Sequence, residues 1–190
     1  MTVRSRDALL VVDVQRDFLP GGALAVPRGG EVIAPLNVWL DLFARRGLPV
    51  FATRDWHPPR HCSFRAQGGP WPEHCVAGSP GAAFAEALRL PPGTAVVSKA
   101  VTEEHDAYSG FDGTDLEERL RRADVRRVLI GGLAAEYCVS ATARDALARG
   151  FEASVLAEAV RALSEAAGRR ALEELAERGA VVLGREVAAS

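Results

Sequence analysis

Three of the four histidines, His57, His61 and His74, fall with Asp55 in a single stretch of the 190-residue chain. Imidazole and carboxylate together are the donor set of zinc, manganese or iron sites. Pro58 and Pro59 separate the first two histidines, so their spacing of four cannot be one helical face, and the segment must loop around whatever it holds. A second set is scattered: Asp13 and Lys99 at the ends of short strand-like runs, and Cys138 in the first turn of the helix that Gly131-Gly132 leads into. A thiol beside a helix N-terminus and a cation is biased toward thiolate, and a neighbouring carboxylate can take its proton and pass it to a leaving amine. That is the equipment for covalent acyl transfer. Each residue alone has an ordinary explanation, since buried cysteines, strand-end charges and hydrogen-bonded histidines are common; a shared location would set that explanation aside. A rival use of Cys62 and Cys75, each beside a histidine, as thiolate ligands of a closed zinc site lacks the usual C-x-x-C knuckle.

The elements that must bring these residues together follow from hydrophobic patterning. Ala8-Leu9-Leu10-Val11-Val12 is a continuous apolar run, as in a strand buried on both faces, and it stops at Asp13. Val32, Leu36, Trp39, Leu40 and Phe43 share a helical face ended by Gly47, and Val50-Phe51-Ala52-Thr53 is a second strand leading to Asp55. A Pro- and Gly-rich loop fills 56–81. Strands follow at Ala95 to Ser98, ending at Lys99, at Val128 to Ile130, at Ala153 to Leu156 and at Val181 to Leu183. Thr114-Asp115-Leu116-Glu117 reads as a capping box opening a short helix, Gly131-Gly132 as a turn into a helix over Glu136 to Arg149, and Ser164 as the cap of a last helix. Alternating strands and helices predict a three-layer α/β/α fold: a doubly wound, mainly parallel six-stranded sheet, in one domain covering 1–190. With strand order 3-2-1-4-5-6, the residues ending the strands crowd one rim, and Asp13 lies beside Cys138 at the switch point.

Composition removes other functions. Hydrophobic residues are 48% and charged residues 25%, with a formal net charge of −2. The balance gives no reason to expect nucleic acid or an anionic membrane as partner. The apolar run near the start is too short for a leader or a membrane span, and three cysteines are too few for a disulfide scaffold, so a cytoplasmic protein acting on a small molecule is expected. No G-x-G-x-x-G, P-loop or G-x-S-x-G pattern occurs. One chain leaves monomer and homo-oligomer both open.

In order along the chain, six blocks resemble the nicotinamidase branch of the isochorismatase-like cysteine hydrolase superfamily: Val12 to Phe18, Thr53 to Pro58, Gly69 to Val76, Ser98-Lys99, Ala107 to Phe111 and Gly132 to Val139. The resemblance implies that Cys138 is a nucleophile, Asp13 a general base and acid, and Lys99 the cation of the triad. It implies one divalent metal ion, zinc before manganese or iron, on Asp55, His57, His61 and His74. It further implies a cis peptide at Leu133-Ala134, with the N–H groups of Ala134 and Cys138 forming an oxyanion hole, and a ring pocket of Phe18, Leu24, Trp71, Tyr108 and Leu133. The implied reaction is hydrolysis of nicotinamide to nicotinate and ammonia in NAD salvage, with pyrazinamide as an analogue. Two alternatives are another small amide as substrate, such as an N-carbamoyl compound, and a non-catalytic binder on the same fold. Ala135 and Arg16 depart from the family's common Thr and Asn.

Overall fold

The computed structural model describes residues 2–184. Its strands are β1 (Asp7–Val12), β2 (Val50–Asp55), β3 (Ala95–Lys99), β4 (Arg127–Leu133), β5 (Glu152–Arg161) and β6 (Val181–Leu183). They form one sheet in the order β3-β2-β1-β4-β5-β6, and every neighbouring pair is parallel. Helices α1 (Ile33–Arg45), α2 (Leu116–Arg122), α3 (Ser140–Ala148) and α4 (Glu165–Glu177) supply the outer layers. The order reverses between β1 and β4, which is the switch point expected of a doubly wound sheet.

Alternation along β1 explains the two cores. Leu9 and Val11 pack with Leu36, Leu40 and Phe43 of α1, whereas Ala8, Leu10 and Val12 pack on the other face with Leu116, Leu120, Val139 and Ala143. All six residues of β1 are buried, which is why the sequence shows an unbroken apolar run rather than alternation. Gly132 holds the switch point together: it has φ 134°, and a Cβ there would lie 2.0 Å from the Val12 carbonyl oxygen. No other residue type lets β4 approach β1 so closely.

Several local expectations change. β5 is longer than its apolar core because it continues past Leu156 to pair Val160 and Arg161 with Gly132 and Leu133, across a register shift. Thr114 stands one residue before the N-cap position of α2, Asp115, and makes no capping box: its hydroxyl donates to the Gly110 carbonyl at 2.6 Å and accepts from the Leu116 N–H at 3.3 Å. Ser164 does cap α4, accepting from the Ala167 N–H. The segment expected to open a helix at Glu136 is a single π-helical turn, Ala135–Val139, after which α3 begins. The Ser140 hydroxyl donates to the Ala135 carbonyl at 2.6 Å and satisfies an acceptor left by the wider turn. Among the described residues no helix is long and apolar enough to cross a membrane.

Candidate active site

Parallel register carries the scattered polar residues to one rim. Asp55 and Lys99 are paired residues at the ends of β2 and β3, Asp13 follows β1, and Cys138 sits in the π turn after β4. One oxygen each from Asp13 and Asp55 and the Cys138 sulfur lie within 4.8 Å of one another, all buried. Lys99 is their shared cation. Its Nζ stands 3.0 Å from Asp13 Oδ2 and 3.6 Å from Cys138 Sγ, and it donates to Asp55 Oδ1 and, at 3.0 Å, to the Ala107 carbonyl. Asp13 has φ 50°, a left-handed backbone that turns it out of the strand. Its Oδ1 accepts from Thr53 Oγ1 at 2.6 Å, while Oδ2 accepts no hydrogen bond.

These surroundings set the protonation states. Burial pushes the Asp13 carboxyl above its usual range, with Asp55 adding to the rise and Lys99 and Thr53 pulling against it. For Asp55 burial also opposes ionisation, but Lys99 and His57 outweigh it and hold the carboxyl well below the usual range. Lys99 is fully buried, yet its two carboxylate partners overcome desolvation and keep it firmly charged. Burial raises the Cys138 thiol well above its ordinary value; Lys99 opposes the rise and both carboxylates reinforce it. The expected bias toward thiolate is therefore reversed: in a buried box with two carboxylates and one ammonium, the sulfur rests as a thiol and needs a base.

Asp55, His57 and His74 form a second buried group, each offering a ligand atom within 4.8 Å of the others. His57 Nδ1 faces the Ala100 carbonyl at 3.3 Å and His74 Nδ1 faces the Pro72 carbonyl at 2.8 Å. A carbonyl fixes the proton on Nδ1 and leaves the Nε2 lone pair for an ion. His57 Nε2 is buried with no hydrogen-bond partner, and it lies 3.7 Å from Asp55 Oδ2. An orphaned nitrogen facing a carboxylate, beside a second imidazole, is a donor set that fits a divalent metal ion.

His61 is not brought into that group. Its ring packs 4.1 Å from the His57 ring, but Nδ1 accepts from the Ser63 hydroxyl at 2.7 Å and Nε2 donates to the His105 carbonyl at 3.0 Å. Both nitrogens are engaged. Cys62 and Cys75 are likewise outside either cluster; Cys75 is buried and its thiol is strongly raised by that burial.

Cys138 lines a mostly apolar cavity whose walls include Phe18, Leu24, Trp71 and Tyr108, together with Asp55, His74 and Ala134. Leu133, expected in this wall, instead belongs to the core, and its neighbour Ala134 takes the place. The Leu133–Ala134 peptide is cis. Three further residues line the cavity without having stood out in the sequence: Val26, Tyr137 and Leu163. Tyr137 makes an edge contact with Trp71 at 5.2 Å, and Trp71 Nε1–H donates to the Tyr108 hydroxyl at 3.0 Å, so the three rings form one rim.

Thiol, carboxylate and ammonium at a doubly wound switch point, next to an Asp-His-His group, define a class of hydrolase before any relative is considered. The Isochorismatase domain family model matches residues 7–187, and the chain belongs to that family. The Escherichia coli (strain K12) nicotinamidase is 36% identical over 178 residues, covering 83% of this chain and 84% of that protein. The crystal structure of the Pyrococcus horikoshii pyrazinamidase in complex with zinc superposes with a TM-score of 0.92 at 50% identity, covering 94% of this chain and 99% of the other. That of PnC1 from L. infantum in complex with nicotinate superposes at 0.91 with 39% identity, covering 97% and 96%.

Proposed function

We propose that the protein is a nicotinamidase: it hydrolyses nicotinamide to nicotinate and ammonia through a Cys138 thioester, and it accepts pyrazinamide. The observation that carries the reading is the buried meeting of the Cys138 sulfur, the Asp13 carboxylate and Lys99 directly beneath an aromatic cavity. The nicotinamidase, pyrazinamidase and nicotinate-bound relatives support the choice of substrate.

Asp13 Oδ2 takes the thiol proton, and the sulfur attacks the carboxamide carbon. Lys99 offsets the charge of the two carboxylates throughout and favours the ionised form of Asp13 against its burial. The backbone N–H groups of Ala134 and Cys138 would receive the tetrahedral oxyanion, Ala134 lying in the cavity wall beside the sulfur. Asp13 returns the proton to the departing amine, which leaves as ammonia. A water molecule, deprotonated by the same carboxylate, then attacks the thioester; the carbonyl leaves as nicotinate and the sulfur regains its proton. Phe18, Leu24, Trp71 and Tyr108 hold the ring so that the carboxamide faces Cys138.

Asp55, His57 and His74 would hold the metal; their oxygen and nitrogen donors suit zinc, manganese or iron, and the zinc complex of the Pyrococcus horikoshii relative supports zinc. When bound, it would supply a Lewis-acidic centre beside the cavity that Asp55 and His74 help to line, suited to a pyridine nitrogen. Three free cysteines suit a reducing compartment, and we place the enzyme in the cytoplasm within NAD salvage. Ammonia and nicotinate measured together on purified protein given nicotinamide, with and without chelator, test the proposal. Equimolar release of both, lost on chelation, is expected; no release from metal-replete protein would reject it.

A further inference from the structure

The two oxygens of Asp13 have different surroundings. Oδ1 accepts from the Thr53 hydroxyl at 2.6 Å, and Oδ2, facing Lys99 at 3.0 Å, accepts no hydrogen bond. A carboxylate that collects a thiol proton needs one free lone pair pointing in a fixed direction. The backbone restrains Asp13 only partly: its N–H donates to the Thr53 carbonyl at 3.2 Å, beside the Val12–Thr53 pair of the β1–β2 ladder. Rotation about the side chain would still exchange the two oxygens. The Thr53 hydroxyl on Oδ1, opposite the Lys99 ammonium on Oδ2, tells them apart.

That hydroxyl is aimed by a contact on its far side. Thr53 is fully buried in β2, and a Cβ built on Gly110 would lie 2.8 Å from the Thr53 γ-methyl. Methyl and hydroxyl share one Cβ, so the methyl seated over Gly110 fixes the direction of the hydroxyl. Gly110 is itself held from both ends: its N–H donates to Thr142 Oγ1 at 2.9 Å, and its carbonyl accepts from Thr114 Oγ1 at 2.6 Å. Valine at position 53 would keep the shape and lose the donor, and serine would keep the donor and lose the methyl.

We propose that Thr53 is the positioning residue of the proton-transfer step: its hydroxyl occupies Oδ1 of Asp13 and reserves Oδ2 for the Cys138 thiol, with Gly110 as the stop that holds the Thr53 rotamer. The inference rests on Asp13 as the proton carrier, and its test separates the two ideas.

Steady-state hydrolysis of nicotinamide is measured for the wild type, T53V, T53S, G110A, the G110A/T53S pair and D13N, with melting temperature and metal content recorded for each. T53V loses about 10- to 100-fold in kcat, the worth of one hydrogen bond to a charged group, while KM stays within about twofold and metal content is unchanged. T53S recovers most of that loss. G110A costs kcat in the wild-type background, because its new methyl displaces the Thr53 methyl, and costs less in the T53S background, where the 2.8 Å clash is gone and the next neighbour, Leu116 Cδ2, stands at 3.3 Å. Wild-type kcat in T53V, equal losses in T53V and T53S, or a KM effect alone would overturn the proposal and leave Thr53 as packing. Full turnover by D13N would instead remove the reading of Asp13 on which the proposal stands.

Discussion

Replacing Lys99 by Met removes the one cation from a fully buried box while keeping a side chain of similar length. Its ammonium stands 3.0 Å from Asp13 Oδ2 and contacts Asp55 Oδ1, and the side chain is 0% exposed. Solvent therefore screens little of what is lost. Breaking one side of a buried ion pair costs about 3–5 kcal/mol. For a domain of this size each kcal/mol corresponds to about 2–4 °C in Tm, so K99M should melt about 6–20 °C below the wild type. The deficit must depend on pH in one direction. In the wild type Asp55 is held below its usual range, so its contribution is present at neutral pH and is lost as acid protonates it. In K99M the facing carboxylates have no cation, so their folded-state pKa values rise; a raised pKa gives stability that is present in acid and lost as pH increases. Between about pH 7.5 and about pH 5 wild-type Asp55 stays ionised, so within that window the second effect alone narrows the gap in acid. Thermal melts followed by circular dichroism, with chelator present so that no metal ion replaces the ammonium, at about pH 7.5 and about pH 5 read this directly. A loss below about 1 kcal/mol, or an equal loss at both pH values, would refute the claim that Lys99 compensates the two carboxylates.

Other outcomes are equally specific. H57A and H74A should bind less metal, measured by elemental analysis, whereas H61A should retain it because both His61 nitrogens are engaged elsewhere; loss of metal in H61A would contradict the three-residue site. The acid limb of kcat/KM should lie above the ordinary carboxylate range near pH 3.9, because burial raises Asp13 and its protonated, inactive form persists to higher pH. A pH–rate profile with its limb at or below that range would count against Asp13 as the base. W71A should raise KM for nicotinamide at least about tenfold with a smaller effect on kcat, since it removes a wall of the ring cavity and the Tyr108 contact.

What the sequence made legible, and what it hid, divides along physical lines. Asp13 could be found because β1 is buried throughout and apolar up to its end, so the first charged residue after it marks the rim, and Asp55 and Lys99 because each closes a short apolar strand, Asp55 one place after Arg54. Cys138 is marked by the Gly131-Gly132 pair before it, but that pair lies within β4 instead of forming the expected turn, and the π turn that presents the sulfur depends on Ser140 satisfying the Ala135 carbonyl. Leu133 and Ala134 are adjacent and point differently, so one residue of register decides which lines the cavity. His61 and His74 read alike in the sequence; what separates them is which backbone carbonyl each ring meets, and that follows from the path of an irregular loop. Thr53 looked like an ordinary strand residue because its role arises only from β1 on one side and the Gly110 loop on the other. The thiol's preference was misjudged for a similar reason: a helix N-terminus and a lysine can be read along the chain, whereas complete burial beside two carboxylates cannot.

The most direct test of the account is ammonia release from nicotinamide by C138A, compared with the wild type at matched metal content. The account predicts that C138A folds, keeps its metal and releases no ammonia above background, because Cys138 carries the one thiol that lines the cavity among the described residues. Turnover by C138A approaching that of the wild type would contradict the thioester route and, with it, the role given to every residue around the sulfur.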